Sequence, residues 1–242
     1  MRFTLTFLLS LWLPLSFAGM SSSAPKPVDY FAQLSSLTEL ISVDAEGGFS
    51  ALQNRTLSPE LLGGVVILTD FRPDWITYTR ALRLGLADQG WDLMTPEPSE
   101  DHELSLKRGQ AMIDAHRTAG KERILLIALE DQANNAIELA RDAPDLRLLI
   151  YKANGQSSNL EAIKNQVDRL GKAPTVELYS GHEINSEGAK RNKAASGLRL
   201  ANYHGRALFG PSQPNAALTT AETKRILGAI KTLIIEQEPQ KS

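Results

Sequence analysis

The sequence contains no cysteine. That excludes disulfide staples, thiol nucleophiles, thiolate zinc sites and iron–sulfur ligation, so the core alone must hold any fold. It also excludes a lipoprotein anchor. No charge sign dominates: 26 Lys and Arg against 28 Asp and Glu leave a formal net charge of −2. The cations form no run that could track a phosphate backbone, so nucleic acid is not an expected partner and anionic lipid has no electrostatic claim. Nucleotide and dinucleotide loops of the GxxxxGK[ST] and GxGxxG types are missing, and with them any support for such cofactors. What is present is ordinary globular material, 42% hydrophobic over 242 residues, enough for one sizeable α/β core.

The first eighteen residues differ from the rest. Arg2 gives a positive start, Phe3 to Phe17 is apolar apart from small hydroxyl residues, and Ser16-Phe17-Ala18 is a small-x-small cleavage pattern. The run is shorter than the roughly 20 residues of a membrane span. It contains Pro14 and leads into a Ser/Pro-rich segment. Residues 1–18 therefore read as a signal peptide cleaved after Ala18, with export to the periplasm and no stable membrane insertion afterwards. An uncleaved anchor is the alternative. Loss of Arg2 takes the net charge from −2 to −3. Residues 19–36 read as a linker and lead-in, 37–235 as one domain, and 236–242 as a mobile tail.

Within 37–235, apolar runs alternate with amphipathic stretches. Glu39 to Ala45 and Phe49 to Thr56 read as strands joined at Glu46-Gly47-Gly48. Val65 to Leu68, Trp91 to Met94, Ile124 to Leu129, Leu146 to Tyr151 and Thr175 to Tyr179 follow as strands, with one more between Leu198 and Phe209. Helical stripes are carried by Trp75, Thr79, Leu82 and Leu86, and by Ala133, Ala136, Ile137 and Ala140. Another holds Leu160, Ile163, Val167 and Leu170, and the last holds Ile226, Leu227, Ile230, Leu233 and Ile234. Leu104 to His116 is a weakly patterned helix. Ser158 with Glu161 and Thr219 with Glu222 have capping-box spacing. Alternation of this kind predicts an α/β fold: a mostly parallel sheet with helices on both faces.

Gly63 through Trp75, GGVVILTDFRPDW, followed by Leu82 through Gly90-Trp91, resembles a family of exported proteobacterial proteins of unknown function related to α/β-hydrolases. The matching elements are Pro73-Asp74-Trp75 and Gly90-Trp91 at similar separation, and the likeness extends from about Leu37 to Ile234. It implies an α/β-hydrolase-like fold with chemistry at the strand-to-helix turns of one sheet edge. In that fold a Gly-x-Ser-x-Gly elbow follows the fifth strand. Here the segment is Ala128-Leu129-Glu130-Asp131-Gln132, with Glu130 on the nucleophile position and no serine or flanking glycine. A carboxylate can serve as an elbow nucleophile, but Glu is a methylene longer than Asp and Gln132 crowds the turn. Solvated carboxylates favouring the next helix N-terminus are the plainer reading of Glu130 and Asp131.

Thr69-Asp70-Phe71-Arg72 replaces the family's His-Gly turn after the third strand. Asp70 would oppose a developing oxyanion; with Arg72 it reads as a local ion pair or as polar contacts in a crevice. Asp70, Phe71, Arg72 and Asp131 are the expected binding crevice. Of four histidines, His102 and His116 read as exposed and lack metal-pair spacing. Glu183, in Gly181-His182-Glu183, lies where a triad acid would sit, though a solvated loop residue reads as well. His204 is the candidate base if the last strand is Leu198 to Tyr203. In the later register favoured by the resemblance, His204 falls inside the strand and the base position falls near Ser212-Gln213. The acidic residues Glu97, Glu100, Asp101 and Glu103 read as a solvated loop, with no metal site expected. No cofactor is expected. Glu130, His204 and Glu183 remain the catalytic candidates.

Three functional expectations follow. The first is a periplasmic hydrolase-like binding or accessory protein lacking a working triad, with a small molecule or an envelope protein as partner. The second is an esterase or acyl hydrolase using Glu130 or Asp131 with His204. The third is an envelope scaffold.

Overall fold

Strands covered on both faces are apolar along their whole length. Gly63–Leu68 (β3) and Ile124–Leu129 (β5) are buried at every residue, and Leu146–Tyr151 (β6) at all but Arg147. The computed structural model describes residues 37–45, 48–141, 143, 145–153, 160–170, 173–182, 186–209 and 217–235. The expected signal peptide, linker and tail lie outside these residues, as do Glu46-Gly47, Ser158, Glu183 and Ser212-Gln213.

The three strands are central in an eight-stranded sheet of order β1-β2-β4-β3-β5-β6-β7-β8. The others are Glu39–Val43 (β1), Phe49–Asn54 (β2), Trp91–Pro96 (β4), Thr175–Ser180 (β7) and Tyr203–Leu208 (β8). β1 and β2 form an antiparallel edge against β4. β3 to β8 are parallel, so their C-terminal ends share one edge.

Among the described residues six helices cover the sheet: Trp75–Asp88 (α1), His102–Thr118 (α2), Ala133–Ala140 (α3), Leu160–Leu170 (α4), Glu187–Leu198 (α5) and Thr220–Ile235 (α6). The alternation of β5 decides which side chain meets which layer. Ile124, Leu126 and Ala128 join Met112, Ile137 and Val167 from α2, α3 and α4. Leu125, Ile127 and Leu129 join Leu82 and Leu86 of α1 and Ile226, Ile230 and Leu233 of α6. Each large apolar side chain buried this way contributes roughly 1.5–3 kcal/mol. The Thr219–Glu222 capping box closes as its spacing predicts: Glu222 N–H donates to Thr219 Oγ1 at 3.2 Å and Thr219 N–H to Glu222 Oε2 at 3.0 Å.

Two expectations need correction, and the register left open for the last strand is decided. His116 is 1% exposed, not on the surface. Its ring occupies the space a side chain at Gly64 would take, with a Cβ there only 2.5 Å from the ring, and Nε2 lies 3.2 Å from the Val65 carbonyl oxygen. The last strand begins at Tyr203, the later of the two registers, so His204 lies inside it. Helix α5 has no counterpart in the pattern reading because it buries charge. Arg191 bonds Glu177 Oε1 at 2.7 Å and Oε2 at 2.9 Å, and Glu187 at 3.0 Å. Tyr203 donates to the same Glu177 at 2.5 Å. The signal left for α5 was its run of helix formers from Ala189 to Ala195.

Candidate functional site

At the C-terminal edge of β5 the chain turns sharply through Glu130–Gln132 into α3. Glu130 makes that turn with φ +51°, a left-handed conformation that costs a residue with a Cβ. Its side chain is not simply solvated, as the pattern reading had it. The hydroxyl of Tyr78, a residue only 1% exposed on α1, donates to Glu130 Oε1 at 2.8 Å. Burial pushes the Glu130 carboxyl above its ordinary range, and Asp70 and Asp131 add to the push against the pull of Tyr78 and Arg72. Burial also drives the Tyr78 phenol far upward, with Glu130 reinforcing it, so Tyr78 stays a donor.

The turn after β3 supplies the other wall. Arg72 stacks on the Tyr78 ring, 3.8 Å from its centroid, and grips Asp74 through Nε at 2.7 Å and Nη2 at 3.2 Å. Arg72 thus pairs with Asp74 in place of Asp70, one guanidinium edge meeting both oxygens of the carboxylate. Asp70 instead accepts the Thr69 hydroxyl at 3.1 Å.

The next strand end repeats the strain. Lys152, directly after β6, has φ +48°. Its ammonium and the Tyr151 hydroxyl both meet Glu222 Oε1 at the start of α6. Burial works against the Glu222 charge, yet bonds from Lys152, Thr219 and Tyr151 outweigh it and hold the carboxyl down to about 2.

Beside the elbow, on the side of α2 and α3, lies an open cleft of about 370 Å³. Asp70 and Phe71 line it from the β3 turn, Asp131, Gln132 and Asn135 from the elbow and α3, and Ser99, Glu100, His102 and Ser105 from the start of α2. Gln132 and Asn135 are buried and joined, Asn135 Nδ2 donating to Gln132 Oε1 at 2.7 Å. Burial raises the Asp131 carboxyl, and the charges of Asp70 and Glu187 raise it further. Three carboxylates thus crowd the position where an acyl-transfer enzyme would gather donors for an oxyanion.

No family model matches the chain, and no curated protein matches its sequence, so the motif resemblance rests on its residues alone. Solved structures do match. Est1E from Butyrivibrio proteoclasticus superimposes with a TM-score of 0.64 at 11% identity, covering 81% of this chain and 99% of its own. A dienelactone hydrolase from Anabaena variabilis gives 0.62 at 11%, covering 82% and 97%. The esterase domain of a Rhodothermus marinus protein gives 0.60 at 11%, covering 80% and 96%. The chain has the α/β-hydrolase fold.

In an α/β-hydrolase the elbow is a strained strand-to-helix turn, and the turn after β5 in this chain is strained too, with Glu130 left-handed. The other candidates scatter. Asp70, Phe71 and Asp131 line one cleft. Arg72 does not line the cleft, being folded back onto Tyr78 and Asp74. His204, paired with Val176 near the start of β8, sits toward the N-terminal edge of the sheet, opposite the elbow. That placement is at the opposite end of the sheet from Glu130, which follows the C-terminal end of β5. Glu183 lies outside the described residues. His182, just past β7, meets the Phe209 ring edge-on at 5.7 Å.

Four contributors were missed. Tyr78 falls on the α1 stripe three residues after Trp75 and reads as core. Gln132 and Asn135 are polar residues interrupting the apolar face of α3, which is the signal that marks them. His102 is exposed as expected, yet it borders the cleft because α2 starts two residues earlier than its apolar pattern suggests. Among the described residues, no group of three or more acidic or histidine side chains is placed to hold a metal ion.

Proposed function

We propose that this chain acts in the periplasm, after cleavage near Ala18, as an α/β-hydrolase-fold binding or accessory protein that lacks a working Ser-His-Asp triad. The observation that carries this reading is Glu130 in the elbow, its carboxylate engaged by Tyr78 and flanked by Asp70 and Asp131. A carboxylate held by a buried phenol is a poor nucleophile, and two neighbouring anions raise the energy of any developing oxyanion. The cleft next to this elbow is open and lined by polar groups, which favours a ligand over a bare scaffold role.

A second reading, an esterase or acyl hydrolase using a carboxylate nucleophile, draws on the strained φ of Glu130 and on the hydrolases among the structural neighbours. Activated acyl esters separate the two, because their leaving groups need little acid assistance. The mature protein is expected to give no turnover above buffer with short- or long-chain p-nitrophenyl esters. Clear turnover that collapses in Glu130→Ala would establish the esterase instead.

A further inference from the structure

We propose that the cleft beside the elbow binds an organic cation, a compound carrying alkylammonium or guanidinium groups; this rests on the binding reading above and supplies its ligand class. Carboxylates reach the cleft from three separate loops, Asp70 after β3, Glu100 before α2 and Asp131 at the elbow, and among the described residues no Lys or Arg lines it. The cation nearest in sequence, Arg72, is committed to Asp74 and the Tyr78 ring.

Two further observations point to a donor-rich ligand. Asn135 is only 4% exposed, its Nδ2 is used on Gln132, and its buried Oδ1 has no hydrogen-bond partner. A buried acceptor left unpaired costs about 1–3 kcal/mol, a cost that a ligand N–H removes. Phe71 leaves 58% of its surface exposed on the same cleft. An aromatic face beside carboxylates is the arrangement that attracts an ammonium or guanidinium.

Size and placement select an organic ion over a metal. No three acidic or histidine groups among the described residues converge on one point, so the negative charge is spread along the cleft. The volume, about 370 Å³, is within the roughly 300–1,000 Å³ of small-molecule sites. An extended cation with separated nitrogens satisfies such a lining, and a single ion does not. Burial is the main cause of the raised Asp131 carboxyl; the smaller part added by Asp70 is relieved when a positive group binds beside both.

The test is calorimetric titration of the folded mature protein with spermidine, with calcium chloride and an uncharged diol as comparisons. Saturable one-site binding of spermidine is expected. Asp70→Asn and Asp131→Asn should each weaken it by about tenfold or more, the size of one charge-assisted hydrogen bond. Phe71→Ala should weaken it about threefold. Asp168→Asn, a substitution of an exposed acid on α4, should leave it unchanged. The proposal fails if wild type shows no saturable binding at millimolar spermidine, or if Asp168→Asn weakens binding as much as the cleft variants. It also fails if calcium binds in place of spermidine with the same losses. The ester assay is read separately on the same preparation: turnover would overturn the non-catalytic reading while leaving the measured spermidine affinity in place.

Discussion

The Tyr78 hydroxyl lies 2.8 Å from the carboxylate of Glu130, a contact between α1 and the elbow across 52 residues of sequence. It ties the helix that follows the third strand to the residue that follows the fifth. It also engages the carboxylate of the residue that makes the left-handed turn out of β5.

Removing that donor leaves a half-buried carboxylate short of a bond. Tyr78→Phe should destabilise the protein by roughly 1.5–3 kcal/mol at neutral pH, the range for hydrogen bonds to charged groups. Glu130→Gln keeps an acceptor and removes the charge, so it should be neutral or stabilising. Because burial raises the Glu130 carboxyl, its contribution is fully present below the unfolded-state value and is lost as pH rises through the raised folded one. Urea melts of wild type and Glu130→Gln should therefore diverge in the variant's favour as pH increases from 4 to 8. Parallel curves would show that Glu130 is not strained by its charge.

The Arg191 network makes a sharper demand. Arg191 and Glu177 are 0% exposed and Glu187 2%. Arg191→Met leaves two buried carboxylates without their counter-charge and should cost about 3–5 kcal/mol. Arg191→Lys should recover only part of that, since one ammonium cannot span both Glu177 oxygens and Glu187. Denaturant midpoints measure both, and full recovery by lysine would refute the bidentate account.

Glu222 links the β6 edge to α6 and predicts acid sensitivity. Its carboxyl is depressed from 4.5 to about 2, so its contribution is present above the unfolded value and fades as pH falls from about 4.5 through about 2. Glu222→Gln should lower the melting temperature at pH 7 and converge on wild type near pH 2. A gap that persists unchanged at pH 2 would assign the effect to packing.

Export is checked directly. N-terminal sequencing of the native protein should begin at Gly19 or within a few residues of it. An intact Met1 on a membrane-bound product would refute the cleaved, periplasmic form.

Much of this architecture was legible before any coordinates. Strands β5 and β6 coincide with the apolar runs Ile124 to Leu129 and Leu146 to Tyr151, because a strand buried on both faces favours apolar side chains nearly throughout, Arg147 near the start of β6 being the exception. The α1 stripe and the Thr219–Glu222 cap were readable for similar reasons: helical period and capping spacing are local. The strand-to-helix turn at Glu130 was visible as well, since the apolar run stops at Leu129.

Tertiary structure alone decided the rest. Helix α5 stayed hidden because its buried face carries Glu187 and Arg191 beside Gly188 and Ala195, charges made acceptable by Glu177 and Tyr203 from β7 and β8 and by Gln166 from α4. His116 went inside because Gly64, 52 residues earlier in sequence, has no side chain to occupy that space. The fate of Glu130 turned on a phenol from α1, and that of Arg72 on Asp74 and the same phenol. A sequence states which groups carry charge or hydrogen-bonding capacity. Which partner satisfies each one depends on segments brought together only when the sheet closes, and a buried polar group takes its energy almost wholly from that partner.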